Sequence, residues 1–200
     1  NAANFTNDGD PSLAVNLATG DFYYGENATS GVAANAGPSK VIVVARSTDG
    51  CQTFPRANQV VVSTVIPTVG NRTTLSDKPS VAVDNSGTSN PRRIYVCWTR
   101  FVDTDNPADN VANESELRFA RSIDGGLTYQ DEQVLQVNGP APFGCSVKVG
   151  PTGQVYVSWA DRFGATLGDI RIRVSLNGGA PNTFGTNTRV STGNRLPGTD

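Results

Sequence analysis

The 200-residue chain contains no histidine and no methionine. The first absence removes Ser-His-Asp and Cys-His catalysis, and histidine-ligated zinc, from the chemistry the chain can carry by itself. The second extends to position 1 and goes with no visible signal peptide, so the sequence reads as a mature or excised segment. No apolar run approaches the ~18 residues of a membrane-spanning helix. Lysine occurs only at Lys40, Lys78 and Lys148, and the formal charge is −2, so there is no basic field for nucleic acid. Cysteine is scarce: Cys51, Cys97 and Cys145 allow three pairings with one thiol left over, or three free thiols, and no C-x-x-C argues for a metal. Sequons begin at Asn4, Asn27, Asn71 and Asn113, about the number that chance supplies at this Asn, Ser and Thr content.

What is abundant is valine, glycine, proline, asparagine and threonine, a composition of strands and turns rather than helices. The length suits one all-β domain with a sizeable core. Its organising stretch is Ser122-Ile123-Asp124-Gly125-Gly126-Leu127-Thr128-Tyr129, set between the apolar-alternating runs Glu116 to Arg121 and Glu132 to Val137. Two such runs joined by Asp-Gly-Gly read as a hairpin. Asp124 can accept from backbone N–H groups ahead of it, the glycines can take positive φ, the Ser122 and Thr128 hydroxyls can tie to the turn, and Tyr129 can fold against the sheet. The pattern recurs at Ser47-Thr48-Asp49-Gly50-Cys51-Gln52-Thr53-Phe54. A degraded copy, Ser175-Leu176-Asn177-Gly178-Gly179, reaches Thr183-Phe184 after two extra residues.

Each turn sits inside a longer repeat. The copies open at Asp10-Pro11-Ser12-Leu13-Ala14-Val15, at Asp77-Lys78-Pro79-Ser80-Val81-Ala82-Val83 and at Gly144-Cys145-Ser146-Val147-Lys148-Val149. A turn and a second strand follow, ending alike in Ile94-Tyr95-Val96-Cys97-Trp98 and Val155-Tyr156-Val157-Ser158-Trp159. A third strand enters the Ser-x-Asp turn and a fourth leaves it. Four short antiparallel strands recurring about every 65 to 70 residues are the layout of a propeller blade. Runs such as Val41-Ile42-Val43-Val44 are apolar at consecutive positions, which fits a sheet covered on both faces; an aligned β-sandwich is the competing arrangement.

The pattern Ser-x-Asp-x-Gly-x-Thr-aromatic resembles the Asp-box, or BNR repeat, of sialidase-like β-propellers, with Cys51 where that family has glycine and Asn177 where it has aspartate. The resemblance implies an all-β fold of four-stranded blades, here a partial propeller of a six-bladed type in a secreted or cell-surface protein. It places blade one at about 10–63, blade two at about 77–137, blade three at about 144–191, and a linker into a further blade at 192–200. Partners are then further blades or another chain closing the ring, and glycans. Structural roles fall to Ser47, Asp49, Thr53, Phe54, Ser122, Asp124, Gly126, Thr128, Tyr129, Ser175, Asn177 and Gly179. Three blades are expected to leave two unpaired apolar flanks.

Antiparallel alternation sorts the loops onto two rims. The Asp-box and first turns share one; most long loops share the other, which is the active face in the family the chain resembles. Candidates there are Arg100 and Asp103 in one copy, and Asp161 and Arg162 in the next: paired carboxylates for acid/base work on a glycoside, arginines to clamp an acidic sugar. The plainer reading makes them loop caps and rim salt bridges. Asp103, Asp105 and Asp109 offer oxygen ligands for calcium, although the run lacks the Gly and distal Glu of an EF-hand loop and reads equally as a solvated acidic loop. No cofactor is required by any residue pattern. Trp98 and Trp159 read as inter-blade core before sugar platforms.

Sialidases use an early Arg-Ile-Pro arginine, two more arginines, a Tyr–Glu nucleophile pair and an Asp acid/base. The nearest string here is Val65-Ile66-Pro67, and the family's tyrosine comes from a late blade. Three functions follow: a structural or carbohydrate/protein-binding module of a propeller; part of a sialidase-like glycoside hydrolase whose remaining residues lie outside this chain; or a self-assembling structural protein.

Overall fold

The computed structural model describes residues 5–30, 39–63, 73–89, 92–103, 114–137, 141–163 and 166–191. Twelve strands account for most of them: β1 (Phe5–Val15), β2 (Phe22–Ser30), β3 (Ser39–Ser47), β4 (Gln59–Val61), β5 (Thr73–Val83), β6 (Ile94–Asp103), β7 (Glu114–Ser122), β8 (Gln130–Val137), β9 (Ala141–Val149), β10 (Val155–Phe163), β11 (Thr166–Ser175) and β12 (Thr188–Arg189). One 3-10 turn, Arg56–Asn58, precedes β4, and the described residues contain no α-helix. Within β1–β4, β5–β8 and β9–β12 every strand pairs antiparallel with its sequence neighbour. The first two sets form one continuous sheet only through a single parallel bridge, Lys40 to Leu75, between β3 and β5. The chain is thus three antiparallel four-stranded units, and β4 and β12 are short outer edges.

The units stack face to face because their central strands carry apolar side chains on both sides. Across the first seam, Tyr23, Ile42, Val44 and Val62 of one unit meet Val81, Val83, Ile94, Val96, Trp98 and Ala120 of the next. Across the second, Tyr95, Cys97, Leu117 and Phe119 meet Val147, Val155, Val157 and Trp159. Alternation sends Val96 to one seam and Tyr95 to the other. Each buried apolar side chain contributes about 1.5–3 kcal/mol, against about 1 kcal/mol for a hydrogen bond. Apolar burial therefore holds the seams, and the sparse polar bonds set their register.

Those polar bonds repeat with the units. Ser12 Oγ accepts from Val81 N–H at 2.9 Å, and the equivalent Ser80 Oγ accepts from Val147 N–H at 3.2 Å. Tyr23 donates its hydroxyl to Gly125 O at 2.8 Å, and Gln133 Nε2 donates to Gly179 O at 3.0 Å. Cys97 and Cys145 form a disulfide that joins β6 to β9 across the second seam and leaves Cys51 as the thiol. A disulfide is compatible with a secreted protein.

The Ser-x-Asp turns explain their own residues. Asp124 Oδ1 accepts from Thr128 N–H at 3.0 Å and from Ser122 Oγ at 2.7 Å, and Oδ2 from Thr128 Oγ1 at 2.5 Å. Burial pushes the Asp124 carboxyl up, but these bonds outweigh it and hold it below the usual range. Asp49 makes the same set with Thr53 and Ser47 and is held down to about 2 by them. In the third copy Asn177 makes no such bonds in its side chain's place; Ser175 and Thr183 join hydroxyl to hydroxyl at 2.6 Å, and Ser175 Oγ still accepts from Gly179 N–H. Gly126 and Gly179 have φ of +87° and +63°, and a Cβ on either would lie 2.6 Å from the ring of Tyr23 or Phe119 in the preceding unit. Gly50 also has positive φ, but its added Cβ meets nothing.

The open flanks differ from one another. On the third unit's trailing face Tyr156, Ser158, Ala160, Ile170, Ile172 and Val174 are all half-buried, whereas their counterparts Tyr95, Cys97, Leu117 and Phe119 are fully buried. On the first unit's leading face Leu13 is 56% exposed, yet Ala28, Val41 and Val43 are buried, so that flank is only partly open. No helix of the described residues is long and apolar enough to cross a membrane.

Two outcomes follow. Gly179→Ala combines backbone strain with a clash and should lower unfolding free energy by about 2–4 kcal/mol, while Gly50→Ala should cost about 1–2 kcal/mol from φ alone; chemical denaturation of both variants checks the difference. Cys97→Ser should cost about 2–4 kcal/mol, and non-reducing peptide mapping should recover the Cys97–Cys145 pair with Cys51 alkylatable.

Candidate functional site

The inner strands β1, β5 and β9 each carry a bulge at the same repeat position. At the bulge the backbone turns left-handed, at Asp10 (φ 51°), Lys78 (φ 54°) and Gly144 (φ 57°). Proline follows the first two and disfavours such a conformation for the residue before it. A non-glycine residue held there costs on the order of 1–3 kcal/mol unless the surroundings impose it, and such residues cluster at binding sites. The bulges lie near the middle of the inner strands, Asp10 and Lys78 at the centres of β1 and β5 and Gly144 just before the centre of β9.

Between them lies a groove of about 560 Å³ lined by Asp10, Lys78, Phe143, Ser146, Ser158 and Ile170, with Pro11 and Pro79 as apolar walls. Lys78 Nζ sits 3.6 Å from Asp10 Oδ2, 3.8 Å from Asp77 Oδ2 and 5.4 Å above the Phe143 ring. Behind Asp10, Asp77 Oδ1 accepts from Asn27 Nδ2 at 2.9 Å. Burial, then the hydrogen bond with Asp10, push the Asp77 carboxyl up; the Lys78 charge opposes them. Asn27 is only 6% exposed, which leaves its sequon no room for a glycan, and its Oδ1 has no protein donor.

Of the sequence-predicted candidates, the side chains of Arg100 and Asp161 are described, and they sit in different units. Arg100 is buried on β6, where its Nε and Nη2 bond Glu116 Oε2 at 2.7 and 2.5 Å. Arg118 joins the same Glu116 at 2.6 Å and reaches Glu132 at 3.3 Å, completing a four-charge cluster on one sheet face. Asp161, in the third unit, is buried and accepts from Trp159 Nε1 at 3.0 Å and from Arg171 Nε at 2.6 Å. Both are held by neighbours within their own sheets. Asp103 closes β6 and Arg162 lies within β10. Asp105, Asp109 and Val65-Ile66-Pro67 lie outside the described residues. Among the described residues no three acidic or cysteine side chains gather as a metal site. Trp98 is wholly buried in the first seam, and Trp159 lines the groove only at its floor, being 3% exposed.

Sequence reasoning missed Asp10, Asp77 and Lys78 because they were read only as repeat openings. The available signal was a charged residue before proline at one repeat position in two copies, Asp10-Pro11 and Lys78-Pro79.

No protein-family model matches the sequence, and no curated protein matches it. Solved structures do. The intramolecular trans-sialidase from Ruminococcus gnavus aligns with a TM-score of 0.60 at 12% identity, over 98% of this chain and 64% of that one. A leech intramolecular trans-sialidase aligns at 0.59 and 12% identity, over 98% of this chain and 44% of that one. A polysaccharide lyase of family PL25, an ulvan lyase, aligns at 0.60 and 13% identity, over 90% and 43%. The chain spans less than two thirds of the length of each of these proteins. Identities this low carry the fold and nothing more, and that fold is part of a sialidase-like β-propeller.

Proposed function

We propose that the chain is a carbohydrate-binding segment of a larger, secreted propeller, with its ligand seated in the groove between the inner strands. The observation that carries this reading is the groove itself. An aromatic ring, a carboxylate and an ammonium converge there on a rigid scaffold, beside two strained residues that the fold holds in place. An apolar sugar face packs on an aromatic ring, and its hydroxyls pair with charged groups at the edge. The structural neighbours, sialidases and a polysaccharide lyase, are carbohydrate-active proteins, which agrees with a carbohydrate-handling module.

The half-open trailing face of the third unit supports further blades beside it, which would close the Ser146, Ser158 and Ile170 side of the groove and leave the ligand the side formed by Asp10, Lys78 and Phe143. Ser146 stands where Ser12 and Ser80 accept a backbone N–H from the following unit. Completion of the ring by added blades, rather than by a sandwich partner, is the form this reading takes.

A second reading, part of a glycoside hydrolase, is favoured by one feature. Burial pushes the Asp77 carboxyl up beside the more exposed Asp10, and two carboxyl groups in unlike surroundings are how acid and base roles are divided. Among the described residues no arginine lines the groove, and the sialidase arginine motif is absent from the sequence, so this reading calls for residues beyond those described.

Immobilised-saccharide binding and reducing-end release separate the two. Retention of saccharides without turnover is the expected result. Release of reducing ends by the full-length protein moves the assignment to the hydrolase. Neither retention nor turnover contradicts both.

A further inference from the structure

A second cleft opens between the first two units, on the rim of the Ser-x-Asp turns, where a blade added after the third unit does not cover it. We propose that it docks a peptide segment through an acidic side chain, whose carboxylate pairs with the Arg92 guanidinium while aliphatic neighbours of that side chain lie against Leu17, Ile123 and Leu127. The site is independent of the carbohydrate reading and shares no residue with the groove.

The cleft holds about 420 Å³, and three turns converge on it. The β1–β2 turn supplies Asn16, Thr19 and Asp21, the β5–β6 turn supplies Ser89 and Arg92, and the second unit's Ser-x-Asp turn supplies Asp124. The turns are fixed before any ligand arrives. Gly20 N–H donates to Asn16 O at 2.8 Å, Leu17 N–H donates across the seam to Asn85 Oδ1 at 2.9 Å, and Ser89 Oγ donates to the buried Asp84 carboxylate at 3.0 Å. A preformed concave site with a few convergent polar groups is the usual form of a binding site. Its charges are two carboxylates and two guanidiniums, and three of these four are engaged. Arg46 Nη2 donates to Asp21 Oδ2 at 2.7 Å. Asp124 accepts from Ser122 Oγ, from the N–H groups of Leu127 and Thr128, and from Thr128 Oγ1. Arg92 differs: its Nη1 donates to Ser89 O at 3.4 Å, and among the described residues it forms no ion pair. A guanidinium with its Nε–Nη2 edge open is the bidentate partner of a carboxylate. A doubly charged anion suits the cleft less, because the Asp21 and Asp124 carboxylates stand in the same lining.

The mouth of the cleft favours a peptide over a sugar as the source of the carboxylate. Leu17, Ile123 and Leu127 are 74%, 46% and 64% exposed. Leu17 stands between the lining residues Asn16 and Ala18, and Ile123 and Leu127 flank the lining pair Asp124-Gly125. Leu176, at the repeat position of Ile123, is exposed as well and continues the aliphatic edge on the same rim. Exposed apolar side chains rimmed by polar groups mark protein-binding surfaces. A pyranose instead packs on an accessible aromatic face, and the lining aromatic, Tyr23, is 1% exposed with its hydroxyl committed to Gly125 O.

The test is titration of the full chain, followed by amide chemical shifts in NMR, with the N-acetylated, C-amidated tripeptides Leu-Glu-Leu and Leu-Gln-Leu and with methyl glucuronoside. Leu-Glu-Leu should give saturable shifts at Leu17, Arg92 and Leu127 and bind about tenfold more tightly than Leu-Gln-Leu. Arg92→Gln should abolish that preference. The side chain's described bond is the long one to Ser89 O, so thermal unfolding of this variant should match that of the natural chain. Leu127→Ala should weaken both peptides by about threefold or more. Equal binding of the two peptides to the natural chain overturns the proposal, as does a preference for Leu-Glu-Leu that survives in Arg92→Gln. Glucuronoside bound more tightly than Leu-Glu-Leu overturns it in favour of an acidic sugar, and the absence of saturable shifts at the cleft overturns it outright. Unaltered peptide affinity in Leu127→Ala overturns the role given to the mouth. Saccharide retention in the groove is measured separately and stands or falls without these results.

Discussion

The structure depends on one close approach: a ring of one unit lying against the bare backbone of the next unit's turn. Tyr23 meets Gly126, and Tyr95 with Phe119 meets Gly179, at distances where a Cβ cannot stand. A four-stranded sheet that is apolar on both faces is insoluble alone. It becomes a folded unit only when a neighbour covers each face, and this contact positions the neighbour. Once it is made, the serine-to-amide bonds between inner strands fall into register, and Tyr23 reaches Gly125 O.

The same stacking generates the groove. Because the inner strands are copies, their bulges align, and whatever side chains occupy the bulges are delivered to a common centre. In the first two copies these are Asp10 and Lys78, and in the third it is Gly144, which keeps the space open. Function in such an architecture is a matter of which residues occupy equivalent positions, not of any one strand's sequence. The local chemistry then follows from burial: Asp77 is more enclosed than Asp10, and its carboxyl is pushed up while the Lys78 charge opposes the shift.

The repeat, the strand runs and the hairpin corners were legible because they are local: Asp124 bonds atoms no more than four residues away. What was not legible depends on register between strands. The Cys97–Cys145 pair could not be chosen over the other pairings until β6 and β9 were placed side by side. Arg100 could be read as a sugar clamp or as a salt-bridge partner, but its partner could not be named, because Glu116 meets it only across the β6–β7 ladder. Asp161 likewise meets Arg171 across β10 and β11. The groove residues were hidden for a different reason: a left-handed residue before proline runs against local preference, and only the bulge reveals it.

The account stands most directly on the contact between Tyr23 and Gly126, and a double-mutant cycle measures it. Gly126→Ala is introduced into the natural chain and into Tyr23→Ala, and unfolding free energies are compared. If the ring occupies the space above the glycine, removing it should relieve the clash and leave only the backbone cost, giving a coupling of at least about 1 kcal/mol. Additivity of the two changes within about 0.5 kcal/mol would show that the two residues do not touch, and the stacking of the units described here would not stand.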